Sequence, residues 1–90
     1  MIIKTIEFPR SQYAWDGDLM AIVFSATVNS KRIRCIVSKE ALEDHFEARD
    51  SSHEAAFLSN WQRIIDVAKR KINADYFLNN GDILVSTFDF

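Results

Sequence analysis

Residues 19–38 read LMAIVFSATVNSKRIRCIVS, and their alternation decides the fold. Met20, Ile22, Phe24, Ala26 and Val28 fall on one side of an extended chain, with Ser25, Thr27 and Asn29 on the other. Successive side chains of a strand point to opposite faces, so this pattern predicts a strand with one apolar side. Asn29-Ser30-Lys31 has turn chemistry, and beyond it Ile33, Cys35 and Val37 alternate with Arg32, Arg34 and Ser38. The stretch is therefore expected to form an antiparallel hairpin, one face core and the other wet.

Toward the N-terminus, Ile6 and Phe8 alternate with Thr5 and Glu7, which predicts a strand over residues 2–8 ended by Pro9. The segment between that strand and the hairpin reads as a long loop. Toward the C-terminus, Ser38 suits the N-cap of a short helix carrying Leu42, His45 and Phe46 on one face, with Glu40 near its positive end. Ser51 and Glu54 have capping-box spacing before one long helix. Phe57, Trp61, Ile64, Ile65, Ala68 and Ile72 form its apolar stripe, opposite Gln62, Arg63, Asp66, Arg70 and Asn73. Asn79-Asn80-Gly81 predicts a turn, and residues 82–90 alternate as a closing strand. The expected order β-β-β-α-α-β makes an α+β fold of two layers, a small, mostly antiparallel sheet with two helices packed on one face. The closing strand fits beside the first strand or at the hairpin's outer edge, and the pattern leaves both open.

Ninety residues, 48% hydrophobic and 27% charged with one proline and two glycines, predict a single domain over residues 1–90 with no disordered stretch. Eleven basic against thirteen acidic residues give a net charge of −2, so a nucleic-acid role requires a local basic patch. One cysteine, Cys35, excludes an internal disulfide. The longest apolar run, Leu19–Phe24, is too short to cross a bilayer, and the opening residues lack the apolar segment of a signal peptide. A cytoplasmic protein without a membrane partner is expected.

Cys35 as nucleophile with His45 as base and Asp44 as its orienter is the enzyme reading. Against it, Cys35 alternates with Ile33 and Val37 on the core face, where a thiol is an inert small hydrophobe, so no catalytic residue is assigned. His45, His53 and Cys35 lack the paired spacing of a metal site, and Gly17 and Gly81 make no phosphate-cradling loop, so neither metal nor cofactor is expected. Two clusters are basic: Lys31, Arg32 and Arg34 in the hairpin, and Arg63, Lys69, Arg70 and Lys71 along the long helix. They fit phosphate contacts, although cations late in a helix also complement its dipole and the hairpin's wet face offers no aromatic to stack a base. Arg10, Tyr13, Trp15 and Asp16 include the residue types enriched at binding hot spots, while Trp15 equally suits a plug at the end of a small core. The leading reading is a non-catalytic binding or adaptor domain, meeting a protein partner or a second copy through the Tyr13–Asp16 segment or a sheet edge. The alternative is a weak nucleic-acid binder using Lys31, Arg32, Arg34, Arg63 and Arg70, and a small Cys/His enzyme ranks third.

The chain also resembles the small bacterial proteins grouped as domain of unknown function family 1488. The likeness is carried by Phe8-Pro9, Trp15-Asp16, Phe24, Ala26, Cys35, Ser38, Ala41-Leu42, Phe46, Arg63, Ala68, Ile72, Gly81 and Asp89-Phe90. Family members look as if they carry Asp-Gly at the hairpin tip and glycine after the helix-ending phenylalanine, where this chain has Asn29-Ser30 and Glu47. The resemblance implies a compact α+β fold and supplies no activity, cofactor or catalytic residue.

Overall fold

The computed structural model describes residues 5–46 and 53–90, with the side chain of Phe46 excepted. Residues 2–4 of the first expected strand, Glu47 and the Ser51 cap lie outside the described residues. Among the described residues five strands and three helices follow one another: β1 Ile6–Glu7, β2 Tyr13–Asp16, β3 Ala21–Val28, β4 Lys31–Ser38, α1 Lys39–Phe46, α2 His53–Ser59, α3 Trp61–Asn73 and β5 Ile83–Val85. A 3-10 turn over Thr87–Asp89 ends the chain.

The hairpin is the centre of the sheet. β3 and β4 pair antiparallel from Ala21↔Ser38 to Val28↔Lys31, which leaves Asn29 and Ser30 as a two-residue turn. Both have positive φ, 50° and 72°, as a turn that matches the strands' twist demands. β1 and β2 lie in line along the outer edge of β3, Ile6 opposite Val28 and Tyr13 opposite Phe24, both antiparallel. β5 joins the other edge of β4 in parallel, Cys35 opposite Ile83, so the return through the helices delivers the chain to the hairpin side and not beside β1. The result is an α+β fold with a mostly antiparallel five-stranded sheet.

Ile22, Phe24, Ala26, Cys35, Val37, Ile83 and Val85 point into one layer of core and meet Ala41, Leu42, Phe57, Ile64, Val67, Ala68 and Ile72 from the helices. Phe24, Cys35, Leu42, Phe57 and Ala68 are buried as the pattern predicts, whereas Trp61 and Ile65 pack at the cluster's margin and keep partial exposure. Among the described residues no buried side-chain nitrogen or oxygen lacks a hydrogen-bond partner.

Four expectations need correction. The Tyr13–Asp16 segment is a strand, not a loop. The long helix is two helices, because the Asn60 side chain donates to the Ala56 carbonyl (2.9 Å), occupying an acceptor at the end of α2, and the backbone restarts there. Met20 belongs to the turn before β3 with φ 51° and is half-exposed, outside the core face. The closing strand stops at Val85, since Ser86 and Asp89 cap one another reciprocally and wind the next three residues into the 3-10 turn.

Candidate functional site

Tyr13 and Trp15 sit two residues apart on β2 and so share its helix-facing side. The Tyr13 ring packs on Phe57 at 5.3 Å and the Trp15 ring on the buried His53 at 5.1 Å. Trp15 remains 36% exposed, so it covers the end of the core and presents an indole surface at the same time. Asp16 serves the next turn, its Oδ1 accepting from the backbone N–H groups of Asp18 (2.9 Å) and Leu19 (3.1 Å). Arg10 donates Nη2 to the Leu58 carbonyl at 3.3 Å, tying the chain before β2 to α2. The four residues therefore share one margin of the molecule, where β2 forms the sheet edge and α2 backs it.

The two edges of the sheet differ. On β5 the Leu84 carbonyl accepts from Lys71 Nζ (2.7 Å), and just before it the Asp82 carbonyl accepts from the Leu78 N–H (2.8 Å). Ser86 both donates its N–H to Asp89 Oδ2 (2.7 Å) and receives the Asp89 N–H. On β2, one side is bonded to β3, and among the described residues the other side pairs with no strand.

The basic residues do not form one surface. Arg32 and Arg34 flank core-facing Ile33 and so lie on the sheet face away from the helices, while Arg63 and Arg70 are exposed on α3 in the other layer. Arg32 reaches back across that open face to Ser25 Oγ (3.3 Å) and Gln12 Oε1 (3.1 Å). Arg34 places Nε and Nη2 on one oxygen of Asp82, at 2.8 and 2.5 Å, and this hydrogen bond and the carboxylate's charge raise the guanidinium's pKa further. The Arg63 guanidinium stands 5.9 Å from the Phe90 ring centre. Lys31 is exposed at the hairpin's end.

Cys35 is fully buried, and burial, followed by the charge of Asp82, pushes its thiol up to about 12. His45 donates Nε2–H to the Thr87 carbonyl at 2.7 Å, and Asp44 accepts from the Thr87 hydroxyl at 2.8 Å. His53 is engaged with Glu43 Oε2 at 3.0 Å. Among the described residues no group of three histidine, cysteine or acidic side chains is gathered as a metal would need. No helix among them is long and apolar enough to cross a membrane.

One cluster escaped the sequence reading. Tyr76, Phe77, Leu78 and Phe88 are exposed, Tyr76 by 72% and Phe88 by 92%, around β5. The signal was present in three successive large apolar residues before Asn79-Asn80-Gly81, but a run of three has no period to assign it a buried face.

No curated protein matches the chain. A crystal structure of a protein of unknown function from the DUF1488 family, from Shewanella loihica PV-4, is similar over 94% of this chain and 96% of that one. The two share 27% sequence identity and a TM-score of 0.84. With the family model described as "Protein of unknown function (DUF1488)" matching residues 6–85, nearly every element described above, the chain belongs to that family.

Proposed function

We propose that the chain is a single non-catalytic binding domain of the cytoplasm, recognising a protein by strand addition along β2. The contrast between the sheet's edges carries the reading: β5 has its outward carbonyls covered, whereas the outer side of β2 pairs with no strand among the described residues. An unpaired edge is a template for an extended segment, which gains main-chain hydrogen bonds and reads side chains at alternate positions. Here it would meet the exposed Ala14 and the half-exposed indole of Trp15. A second copy, β2 against β2 across a two-fold axis, is the simplest such partner. The buried, high-pKa Cys35 supports a non-catalytic role, and the division of the arginines between opposite layers weighs against an extended nucleic-acid surface.

The test combines sedimentation of the purified protein with affinity capture from its own cell extract, protein and nucleic acid both being identified in the eluate. Ala14→Lys places on the edge the charge natural sheets use to block strand addition, and Trp15→Ala removes the aromatic anchor. Each is expected to abolish the captured protein or the dimer, at a cost above about 2 kcal/mol for the tryptophan. Lys31→Gln and Arg70→Gln are expected to leave it intact. Protein capture or dimerisation that survives both β2 changes, or an eluate holding nucleic acid and no protein while the chain sediments as a monomer, overturns the reading.

A further inference from the structure

The sheet is notched. β5 pairs only with Cys35–Val37 of β4, so the preceding stretch of β4 from Lys31 to Arg34 has β3 on one side and no strand on the other among the described residues. The chain from Asp75 to Asp82 passes opposite this stretch and leaves an open cleft of about 800 Å³ between them. That volume lies in the range of small-molecule sites. Lys31, Arg34, Phe77, Asn80 and Asp82 line it, with Asp75 the other carboxylate.

Three of the lining residues are bound to one another. Asp82, 7% exposed, receives Arg34 through two nitrogens and the Asn80 Nδ2 at 3.2 Å on the same oxygen, and donates its own N–H to Asn80 Oδ1 at 3.0 Å. This ties down Arg34, whose guanidinium is paired with the Asp82 carboxylate yet 48% exposed, so its remaining N–H donors line the cleft. Lys31, which shares the parity of Ile33 and so leaves β4 on the helix-facing side, adds an ammonium to the cleft across the strand edge from Arg34. Phe77, 37% exposed, supplies an aromatic ring on the opposite segment. A fixed guanidinium, an ammonium and an aromatic ring around one open cleft match an anionic group attached to a planar ring, by charge-assisted bonds at one end and stacking at the other.

We propose that this cleft binds a nucleoside monophosphate unit, its phosphate between Lys31 and Arg34 and its base against Phe77, either as a free nucleotide or as one residue of a single strand. The site is separate from β2 and stands whether or not β2 binds a protein.

The probes are AMP, adenosine, inorganic phosphate and an adenine hexanucleotide, titrated into the ¹⁵N-labelled protein with amide resonances followed. AMP is expected to shift residues 29–34 and 75–82 in a saturable manner, with adenosine and phosphate each weaker. Phe77→Ala should weaken AMP about tenfold, as the loss of one stacked base does. Lys31→Gln should weaken it about threefold and flatten its salt dependence, as one lost phosphate contact does. Both side chains are at the surface, and an unchanged thermal midpoint shows that the variants fold. A hexanucleotide that binds tighter than AMP at the same residues identifies the source as single strands, and one that binds no tighter identifies free nucleotide. Absent or scattered shifts at millimolar AMP, inorganic phosphate binding as well as AMP, or AMP binding unchanged in Phe77→Ala overturns the proposal.

Discussion

Phe57 stands where β3, β2 and α3 converge, its ring 5.3 Å from Phe24 and Tyr13 and 5.4 Å from Trp61. Truncating a buried aromatic removes its transfer free energy and leaves a cavity, so Phe57→Ala should cost about 3–5 kcal/mol. For so small a chain that is a large share of total stability, and chemical denaturation should show the midpoint collapse. Cys35, under the same core, titrates near 12 in the folded state against 9.0 for an exposed thiol, because burial disfavours the thiolate. The folded value being the higher one, this group's contribution is complete below pH 9 and disappears as the pH rises toward 12. Stability measured across that window should therefore fall more steeply in the native protein than in Cys35→Ala. Thiol labelling at neutral pH should be slow until denaturant is added.

At the scale of elements, the two-residue turn at Asn29-Ser30 is paired well on one side only. Asn29 tolerates its positive φ and accepts the Thr5 N–H on its side chain at 2.9 Å, whereas Ser30 holds φ 72° with no such inducement. Ser30→Gly removes the clash of Cβ in that conformation and should stabilise by about 1 kcal/mol, read as a higher thermal midpoint. The hairpin was legible because period-two alternation ran for eight residues on each side of it. What the pattern misread has local causes. Tyr13 and Trp15 alternate over only four residues, too few to separate a strand from a loop, although aromatics at that spacing favour strand. The break at Asn60 was hidden because Phe57 and Trp61 still meet across it, so the stripe continues while the backbone does not. Ser86 and Asp89 repeat the capping spacing read at residues 51 and 54, but alternation from Ile83 onward masked it. Of the candidate site, the residue types of β2 were readable. Its place at an edge was not, since that depends on which strands pair.

For the molecule as a whole, the β5 edge presents a hazard that its covering groups must contain, because Tyr76, Leu78 and Phe88 surround it and are exposed. An apolar edge with open carbonyls would pair with copies of itself. Lys71 prevents this twice, by donating to the Leu84 carbonyl and by pairing with Asp89 at 2.8 Å, and Asp89 in turn holds the 3-10 turn against Ser86. Burial alone would push the Asp89 carboxyl up, but Lys71 and the Ser86 N–H and hydroxyl outweigh it and hold the value below 3.8. With the folded value the lower, the stabilisation is present above pH 3.8 and is lost as the pH falls through the folded pKa. The Asp89 anchor should therefore hold above pH 3.8 and weaken as the pH falls below it. Lys71→Ala removes the cover at every pH, and Asp89→Asn removes the charge that anchors it. Both variants should show concentration-dependent association by light scattering at pH 7, where the wild-type β5 edge contributes none. Adding Phe88→Ser to Lys71→Ala should suppress that association, because the edge then loses the most exposed of its apolar neighbours. If Lys71→Ala behaves at all concentrations as the wild type does, the lysine is a surface ion pair only, and β5 is protected by its shortness, three residues being too few to template a partner.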